Sequence, residues 1–385
     1  MRIHIPVLDQ SLSMQHSQRI FKVGLPEYEN FPIKKGLRSL GGEAFLFRDN
    51  SGAFKTFAMN YQGKWYRPNE AGSNEIEKVI MATISTDLTI VQHLLNTHLL
   101  VAGTFAGVVS QMPKDHPIRR FLHPYTLDTN RINNYNAPLL LYKNALFERL
   151  YSFDRETILD IMRKKAAAFD FKTSNPYENL RERGLLNFAR ATNEDETKTK
   201  GFEWPQREIW DVMLNHVRQY VGKIYASEDD FLADLDIEKM HEELKRVFVS
   251  SDRNIPEELT RDNFAEMICK FMFQASVEHD LVGVMNLHFL AWMNHIPPRV
   301  HLDGSPLPLS AAKISANLLV ATQPTRKISV LDDSFDGLIP EKGQSIVVSM
   351  RQGLQEIHQA IDREHPKPEG YSVTNPGKHL HQVGS

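Results

Sequence analysis

The pattern of hydrophobic and polar positions divides the chain into a short β-containing beginning and a long helical remainder. The segments GGEAFLFRDN and AFKTFAMNYQGKWYRP are rich in aromatic residues and are interrupted by Asn-Ser-Gly and Gln-Gly. Such segments predict short strands or hairpins. A helical period predominates from Asn74 onward. We therefore predict a β-containing segment at residues 1–73 and a helical domain at residues 74–385, packed together as one structural unit.

The most apolar part of the chain lies between Leu88 and Pro113, where no charged residue occurs. This stretch is too long for one strand, and a helix that is apolar on all sides is usually buried on all sides. We therefore predict a long buried helix. It contains the segment HLLNTH, from His93 to His98.

Three later segments also show helical patterns, which makes the expected fold class mainly α. Thr260 is a suitable N-cap for a mostly apolar helix. The segment SMRQGLQEIHQAIDREH predicts a short amphipathic helix near the end. The third helical segment carries one apolar stripe, formed by Ile209, Met213, Val217, Tyr220, Val221 and Ile224.

His116 and His123 each precede a proline and predict turns, because a residue before proline is pushed out of the helical region.

Composition and charge narrow the class of protein. The chain has 385 residues, 41% hydrophobic and 24% charged, which is typical of a soluble globular enzyme. A net charge of −3 does not favour a nucleic acid or an anionic membrane surface as partner. The single cysteine, Cys269, excludes an internal disulfide and a cysteine-rich zinc site. With no signal-peptide pattern and no transmembrane run, a cytoplasmic protein is expected.

His93 and His98 are the first candidates for chemistry, and their spacing leaves two interpretations open. In a regular α-helix, five residues turn through about 500°, which leaves two side chains about 140° apart. Such a pair could not share a metal ion. A π-turn would bring both rings onto one face, and such turns are frequent at functional sites. The two residues are therefore either separate core histidines or ligands on a π-turn. Burial favours ligands, because four buried ring nitrogens need partners.

Several motifs occur in an order and spacing that resemble the iron-binding core of lipoxygenases, from roughly Gly63 to Ser385. The motifs are His93-Leu-Leu-Asn-Thr-His98, His116-Pro-Ile-Arg-Arg-Phe-Leu-His-Pro-Tyr125, Asp128-Thr-Asn-Arg-Ile-Asn133, Arg183-Gly184 and Ala275-Ser276-Val-Glu-His279. The resemblance implies a lipoxygenase-like helical catalytic domain around a long buried helix with a π-turn. The family's N-terminal β-barrel domain is not expected in this short chain.

The resemblance also implies a ligand set for one metal ion. The ligands would be His93, His98, His279 and the C-terminal carboxylate of Ser385. Imidazole and carboxylate ligands suit non-haem iron, and manganese accepts the same nitrogen and oxygen ligands.

Four positions depart from the family pattern. Ser385 stands in place of a terminal isoleucine, and Gly283 stands where a further side-chain ligand is usual. A position beside Gly283 is therefore expected to be open or filled by water. Ala102 replaces an expected acidic residue, and Asn136 falls at the small-residue site that directs oxygenation.

The resemblance implies a dioxygenase that abstracts hydrogen from an activated allylic carbon and adds O2. The expected substrate is a polyunsaturated fatty acid or similar lipid. Asn136 and Phe105 are candidate substrate contacts, and Arg119 and Arg120 could receive a carboxylate. One alternative keeps the scaffold but hydroxylates, desaturates or rearranges a specialised metabolite. The others are a zinc hydrolase with three histidines and a bound water, and a non-catalytic lipid-binding relative.

Overall fold

The computed structural model describes residues 20–48, 54–185, 204–248, 255–283, 296–305, 329–364 and 376. Helices predominate in these ranges, which confirms the mainly α fold class. The strands are β1 (Ile20–Gly24), β2 (Glu43–Arg48), β3 (Phe54–Tyr61) and β4 (Lys64–Tyr66). The helices are α1 (Ser73–Thr86), a long π-helix (Asp87–Gly103), α2 (Thr104–Val109), α3 (Pro117–Thr126), α4 (Thr129–Leu141), α5 (Leu146–Leu150), α6 (Arg155–Ala168), α7 (Pro176–Glu182), α8 (Trp204–Ile224), α9 (Glu228–Leu232), α10 (Leu235–Val247), α11 (Arg261–Phe273), a short π-helix (Gln274–Glu278) and α12 (Glu341–Glu364), with 3₁₀ turns at Pro26–Asn30, Phe171–Ser174 and Asp336–Leu338.

The chain folds into two compact units, each assembled from separate parts of the sequence. The first unit comprises Met1–Val91, Ala137–Arg163 and Asn286–Thr322, and the second comprises Gln92–Asn136, Lys164–Met285 and Gln323–Ser385. The predicted division between residues 73 and 74 stays a prediction.

The first unit contains an antiparallel sheet in the order β1-β2-β3-β4. The strands predicted from the aromatic segments are therefore present. Between β3 and β4, Gln62 and Gly63 both have positive φ, at 51° and 74°. Positive φ at both central residues is what a two-residue hairpin turn of type I′ requires. On one face of the sheet, the rings of Phe45 and Trp65 pack with centroids 5.3 Å apart.

The second unit is built around α8 and α11. On α8, Val217 and Tyr220 are fully buried, so the predicted apolar stripe faces the core. On α11, Phe271 stacks on Phe105 at a centroid distance of 4.6 Å and an interplanar angle of 2°. The predicted N-cap Thr260 is confirmed, since its side chain accepts a hydrogen bond from the backbone N–H of Asn263. Burial of these aromatic and aliphatic side chains stabilises the unit through the hydrophobic effect.

The sequence-based predictions at the two His-Pro pairs have different outcomes. His116 ends the preceding loop and caps α3 through its side chain, as a turn residue would. The turn predicted at His123 is wrong, because His123 and Pro124 lie inside α3. Phe121, Leu122 and Tyr125 are all buried, so continuing the helix buries these three side chains. Their burial outweighs the local bias against a helical residue before proline.

The predicted amphipathic helix near the chain end is longer than expected. It extends over 24 residues as α12, from Glu341 to Glu364. Its first turns were missed because Glu341, Lys342, Gln344 and Ser345 obscure the apolar period there.

Candidate metal centre

The long π-helix brings residues five positions apart onto one face. The sequence predicts a single π-turn at His93–His98, and the structure confirms it within a π-helix of 17 residues. Threonine side chains mark the change in helix geometry. Thr86 bonds to the carbonyl oxygen of Ala82, four residues earlier, whereas Thr97 bonds to that of Gln92, five residues earlier. His93, His98 and Gly103 therefore share one face.

Three histidine side chains converge at this face. The Nε2 atoms of His93 and His98 are 3.3 Å apart, and those of His98 and His279 are 3.1 Å apart. One ligand atom from each ring lies within 4.8 Å of the other two. His279 directly follows the short π-helix Gln274–Glu278. Residues far apart in the sequence thus present three nitrogen atoms to one point.

Asn133 on α4 fixes the orientation and the proton of His98. The amide nitrogen of Asn133 donates to the backbone oxygen of His98 at 2.7 Å, which determines which way the amide points. The amide oxygen of Asn133 therefore faces Nδ1 of His98, at 3.0 Å, and accepts its hydrogen. Nε2 of His98 consequently carries a lone pair directed at the other two rings. Metal-binding histidines are usually held by such an outer hydrogen bond.

Burial keeps His93 and His98 neutral. Burial, assisted by the neighbouring His98, lowers the pKa of His93 to about 3. Burial also lowers the pKa of His98 to about 4, although the hydrogen bond that His98 donates to Asn133 favours the charged form. Burial raises the pKa of the adjacent Glu278 carboxyl to about 7, although the Arg183 guanidinium favours its ionised form. At neutral pH the imidazoles of His93 and His98 therefore have lone pairs available for a metal.

The spacing of the three nitrogen atoms fits a single metal ion. With bonds of about 2.1 Å, an ion holds neighbouring ligand atoms about 3.0 Å apart at right angles and about 3.4 Å apart at a tetrahedral angle. The separations of 3.1 and 3.3 Å lie between these values. The donor set thus fits iron, manganese or zinc.

Gly283 lies against the coordinating edge of one ring. A Cβ atom built on Gly283 would lie 3.8 Å from both Cε1 and Nε2 of His93. A longer side chain at this position would therefore extend over the ligand atom of His93. Glycine itself contributes no side-chain atom there.

The other sequence-predicted residues have varied positions. Asn136 lies on α4, one turn after Asn133, and is partly buried. Phe105 is fully buried within an aromatic stack. Arg119 donates to the backbone oxygens of Ser110, at 2.9 Å, and Met112.

Arg120 is partly exposed on α3. Ser385 lies outside the described residues. Substrate contacts of Asn136, Phe105, Arg119 and Arg120 stay predictions, as does the terminal carboxylate ligand. Sequence reasoning assigned no role to Asn133, although its motif formed part of the resemblance.

A second cluster of potential metal ligands, formed by one histidine and two aspartates, has a structural explanation. His116, Asp234 and Asp236 also place potential ligand atoms within 4.8 Å of one another. However, Nδ1 of His116 accepts a hydrogen bond from the backbone N–H of Ile118. Its Nε2 therefore carries the proton and donates to Asp234 at 3.1 Å. Asp234 in turn caps α10, so this cluster connects two helix N-termini.

Comparison with known proteins extends the geometric findings. The lipoxygenase family model matches residues 76–327. The chain is 23% identical to human polyunsaturated fatty acid lipoxygenase ALOX15B over 60% of this chain and 33% of that protein. It is 26% identical to human hydroperoxide isomerase ALOXE3 over 53% of this chain and 28% of that protein.

Solved lipoxygenase structures share the fold. A lipoxygenase crystallised anaerobically with arachidonate matches with a TM-score of 0.81 and 16% identity, covering 95% of this chain and 59% of that one. The manganese lipoxygenase of Gaeumannomyces graminis matches with a TM-score of 0.71 and 11% identity, covering 95% and 70% respectively.

The fold is that of the helical lipoxygenase catalytic domain, and the family model covers more than half of the chain. The chain belongs to the lipoxygenase family. It spans about a third of the length of the two curated relatives described above.

Proposed function

We propose that this chain is a metal-dependent oxygenase of lipoxygenase type that acts on a polyunsaturated fatty acid or similar lipid. The proposal rests on the convergence of His93, His98 and His279. The Nε2 atom of His98 is 3.3 Å from that of His93 and 3.1 Å from that of His279. The names of relatives such as the polyunsaturated fatty acid lipoxygenase ALOX15B support the substrate class.

Non-haem iron is the proposed metal, with manganese as the substitute that the same ligands accept. His93, His98 and His279 would hold it through Nε2, and Asn133 would keep Nδ1 of His98 protonated. In a chain that ends at Ser385, the terminal carboxylate is the proposed fourth ligand. When bound, iron supplies the redox chemistry that removes a hydrogen atom from an allylic carbon, to which O2 adds.

The remaining residues of the site would shape what reaches the metal. Gly283 leaves space beside Nε2 of His93 that water or O2 could occupy. Buried apolar residues around the long π-helix, including Val101 and Phe105, would exclude bulk water from the reacting carbon. Asn136 is the proposed polar contact with the substrate or O2.

The decisive experiment combines metal analysis with product analysis. Purified protein should contain about one iron or manganese per chain, and linoleate under O2 should give a conjugated-diene hydroperoxide. A His98→Ala variant should lose both the metal and the product. Stoichiometric zinc with no diene product would instead support a hydrolase. A protein that binds no metal and is equally stable with His93 replaced by alanine would be a non-catalytic lipid binder.

Rearrangement of a lipid hydroperoxide is the second candidate function. Its specific support is the relative named hydroperoxide isomerase, which is 26% identical over the matched part. The space beside Gly283 would admit a hydroperoxide oxygen near the metal. An isomerase retains all substrate atoms and consumes no O2. Anaerobic incubation with a fatty-acid hydroperoxide should therefore yield an isomeric product, whereas a dioxygenase requires O2 with the parent fatty acid.

A further inference from the structure

A continuous chain of buried and partly buried hydrogen bonds connects the two segments that carry the histidines. The Ser174 hydroxyl donates to Oε1 of Gln274 at 3.0 Å. Nε2 of Gln274 donates to the Thr97 hydroxyl at 2.8 Å, and that hydroxyl donates to the backbone oxygen of Gln92 at 2.9 Å. These four groups are called the Gln274 bridge below.

The direction of each hydrogen bond in the Gln274 bridge is determined. Thr97 has one hydroxyl hydrogen, which it donates to the oxygen of Gln92, so towards Gln274 it can only accept. The amide nitrogen of Gln274 must therefore face Thr97, and its oxygen must face Ser174. The side chains of Thr97, Ser174 and Gln274 are exposed by only 0%, 3% and 8%. Water therefore offers little substitute for these bonds, and an unmade one would be costly.

The Gln274 bridge adjoins His93 and His98 in the sequence and begins the segment that leads to His279. Gln92 directly precedes His93, and Thr97 directly precedes His98. Gln274 begins the short π-helix that ends immediately before His279. The bridge therefore links the two backbone segments from which the three rings project.

The rings themselves cannot maintain this spacing in both states of the site. The Nε2 atoms of His98 and His279 are 3.1 Å apart, which permits one ring to donate to the other. That hydrogen bond is lost when both lone pairs point at a metal ion. The Gln274 bridge uses none of the ligand atoms, so metal binding does not compete for its hydrogen bonds.

We infer that Gln274 is a positioning residue that holds the two histidine-bearing segments at metal-binding distance before the ion arrives. This inference rests on the proposed function, in which His93, His98 and His279 share one metal. Preorganisation of this kind increases affinity because ordering is complete before binding.

The first test replaces Gln274 by methionine, which has a similar length and lacks both hydrogen-bonding groups. Co²⁺ affinity should fall roughly 10- to 100-fold, the usual cost of losing an outer partner of a metal site. The visible spectrum of the Co²⁺ form should also change, because the ligand geometry relaxes. The matched control is Ser276→Ala. It removes a buried hydrogen bond to the backbone oxygen of Met272, within one helical segment, and should leave affinity and spectrum unchanged.

A second variant separates positioning from the general cost of unpaired polar groups. Gln274→Met combined with Thr97→Val and Ser174→Ala removes the donors and acceptors together, so stability should largely recover. Metal affinity should stay low and the Co²⁺ spectrum altered. Recovery of wild-type affinity in this triple variant, or unchanged affinity in Gln274→Met, would overturn the positioning role. If the wild-type protein itself binds no Co²⁺ or Fe²⁺ at the histidines, the proposed function fails instead.

Discussion

At the scale of single residues, the proton on one imidazole determines what the centre can bind. Asn133 uses both ends of its amide on His98, one on the backbone oxygen and one on Nδ1. This arrangement selects the tautomer whose Nε2 accepts a metal. A neutral histidine without such a partner would populate both tautomers.

Replacing Asn133 by leucine should weaken metal binding roughly 10- to 100-fold, because the tautomer and ring orientation of His98 are no longer fixed. It should also cost about 1–3 kcal/mol of stability, since His98 would keep unpaired polar groups. Competition with a metal-binding dye and urea denaturation measure the two effects. The control is Asn134→Leu, an exposed position on the same helix. Equal metal affinity in the two variants would contradict the assigned role.

Gly283 allows the opposite kind of test, in which a ligand is added. Gly283→Asn should bring an amide oxygen towards the metal and slow metal loss to a chelator by about ten-fold, or about 1.4 kcal/mol. Gly283→Ala is the control, because its Cβ would only touch His93 at 3.8 Å. Identical release rates for the two variants would show that the side chain does not reach the ion. If water or O2 uses this position, Gly283→Asn should also reduce turnover.

At the scale of elements, the end of the long π-helix packs closely because residue 103 is a glycine and has no side chain. A Cβ atom on Gly103 would lie 2.8 Å from the backbone oxygen of His98 and 3.1 Å from Nδ2 of Asn133. Gly103 therefore lets Asn133 approach the backbone of the π-helix. The reason is close approach of the π-helix's own backbone and of α4, not an unusual backbone conformation, since Gly103 has a φ of −63°.

Gly103→Ala should consequently destabilise the protein, although alanine normally favours a helix over glycine by about 1 kcal/mol. The expected loss is about 1–3 kcal/mol, from overpacking and a disturbed Asn133 contact. Gly107→Ala is a matched control on α2, since its Cβ would meet only Nδ2 of Asn130, at 3.8 Å. Chemical denaturation of both variants should give shifts of opposite sign. A Gly103→Ala variant with increased stability would show that the close contacts of Gly103 do not exclude a Cβ atom.

The elements also show which features a sequence can reveal. The five-residue spacing of His93 and His98 leaves two interpretations open, because a regular helix would separate the rings. The family resemblance then favours the π-turn. The length of the π-helix carries no comparable signal in the sequence. The roles of Asn133 and Gln274 depend on contacts across 35 and 177 residues of chain. Residue type and local period do not reveal such long-range contacts. The family resemblance identified the motifs around the three histidines and Asn133.

At the scale of the whole molecule, the described helices include none with the length and apolar character needed to cross a membrane. The three histidines all belong to the second compact unit. Metal binding should therefore stabilise a unit whose chain segments are widely separated in sequence. A ligand that binds only the folded state adds stability according to its concentration relative to Kd.

Removing the metal should lower the thermal stability of the protein. At a free metal concentration of about 100 times Kd, binding contributes about 2.7 kcal/mol. For a chain of 385 residues, this corresponds to a decrease in Tm of roughly 3 °C when a chelator is added. Differential scanning calorimetry with and without chelator measures the change. His98→Ala is the control and should unfold at the same temperature in both conditions. An equal chelator effect on that variant would place the metal elsewhere.

The long π-helix has a consequence for engineering the stability of this protein. The usual way to stabilise a helix is to introduce residues of high helix propensity. Such residues lower the free energy of the regular α-helical geometry in particular. In the segment Asp87–Gly103, the same change would rotate His93 and His98 away from each other. A variant selected only for unfolding temperature could therefore lose the convergence of the histidines on which the proposed metal site depends, while keeping its fold. Stabilising substitutions are better directed at α8 or α12, with this segment left unchanged.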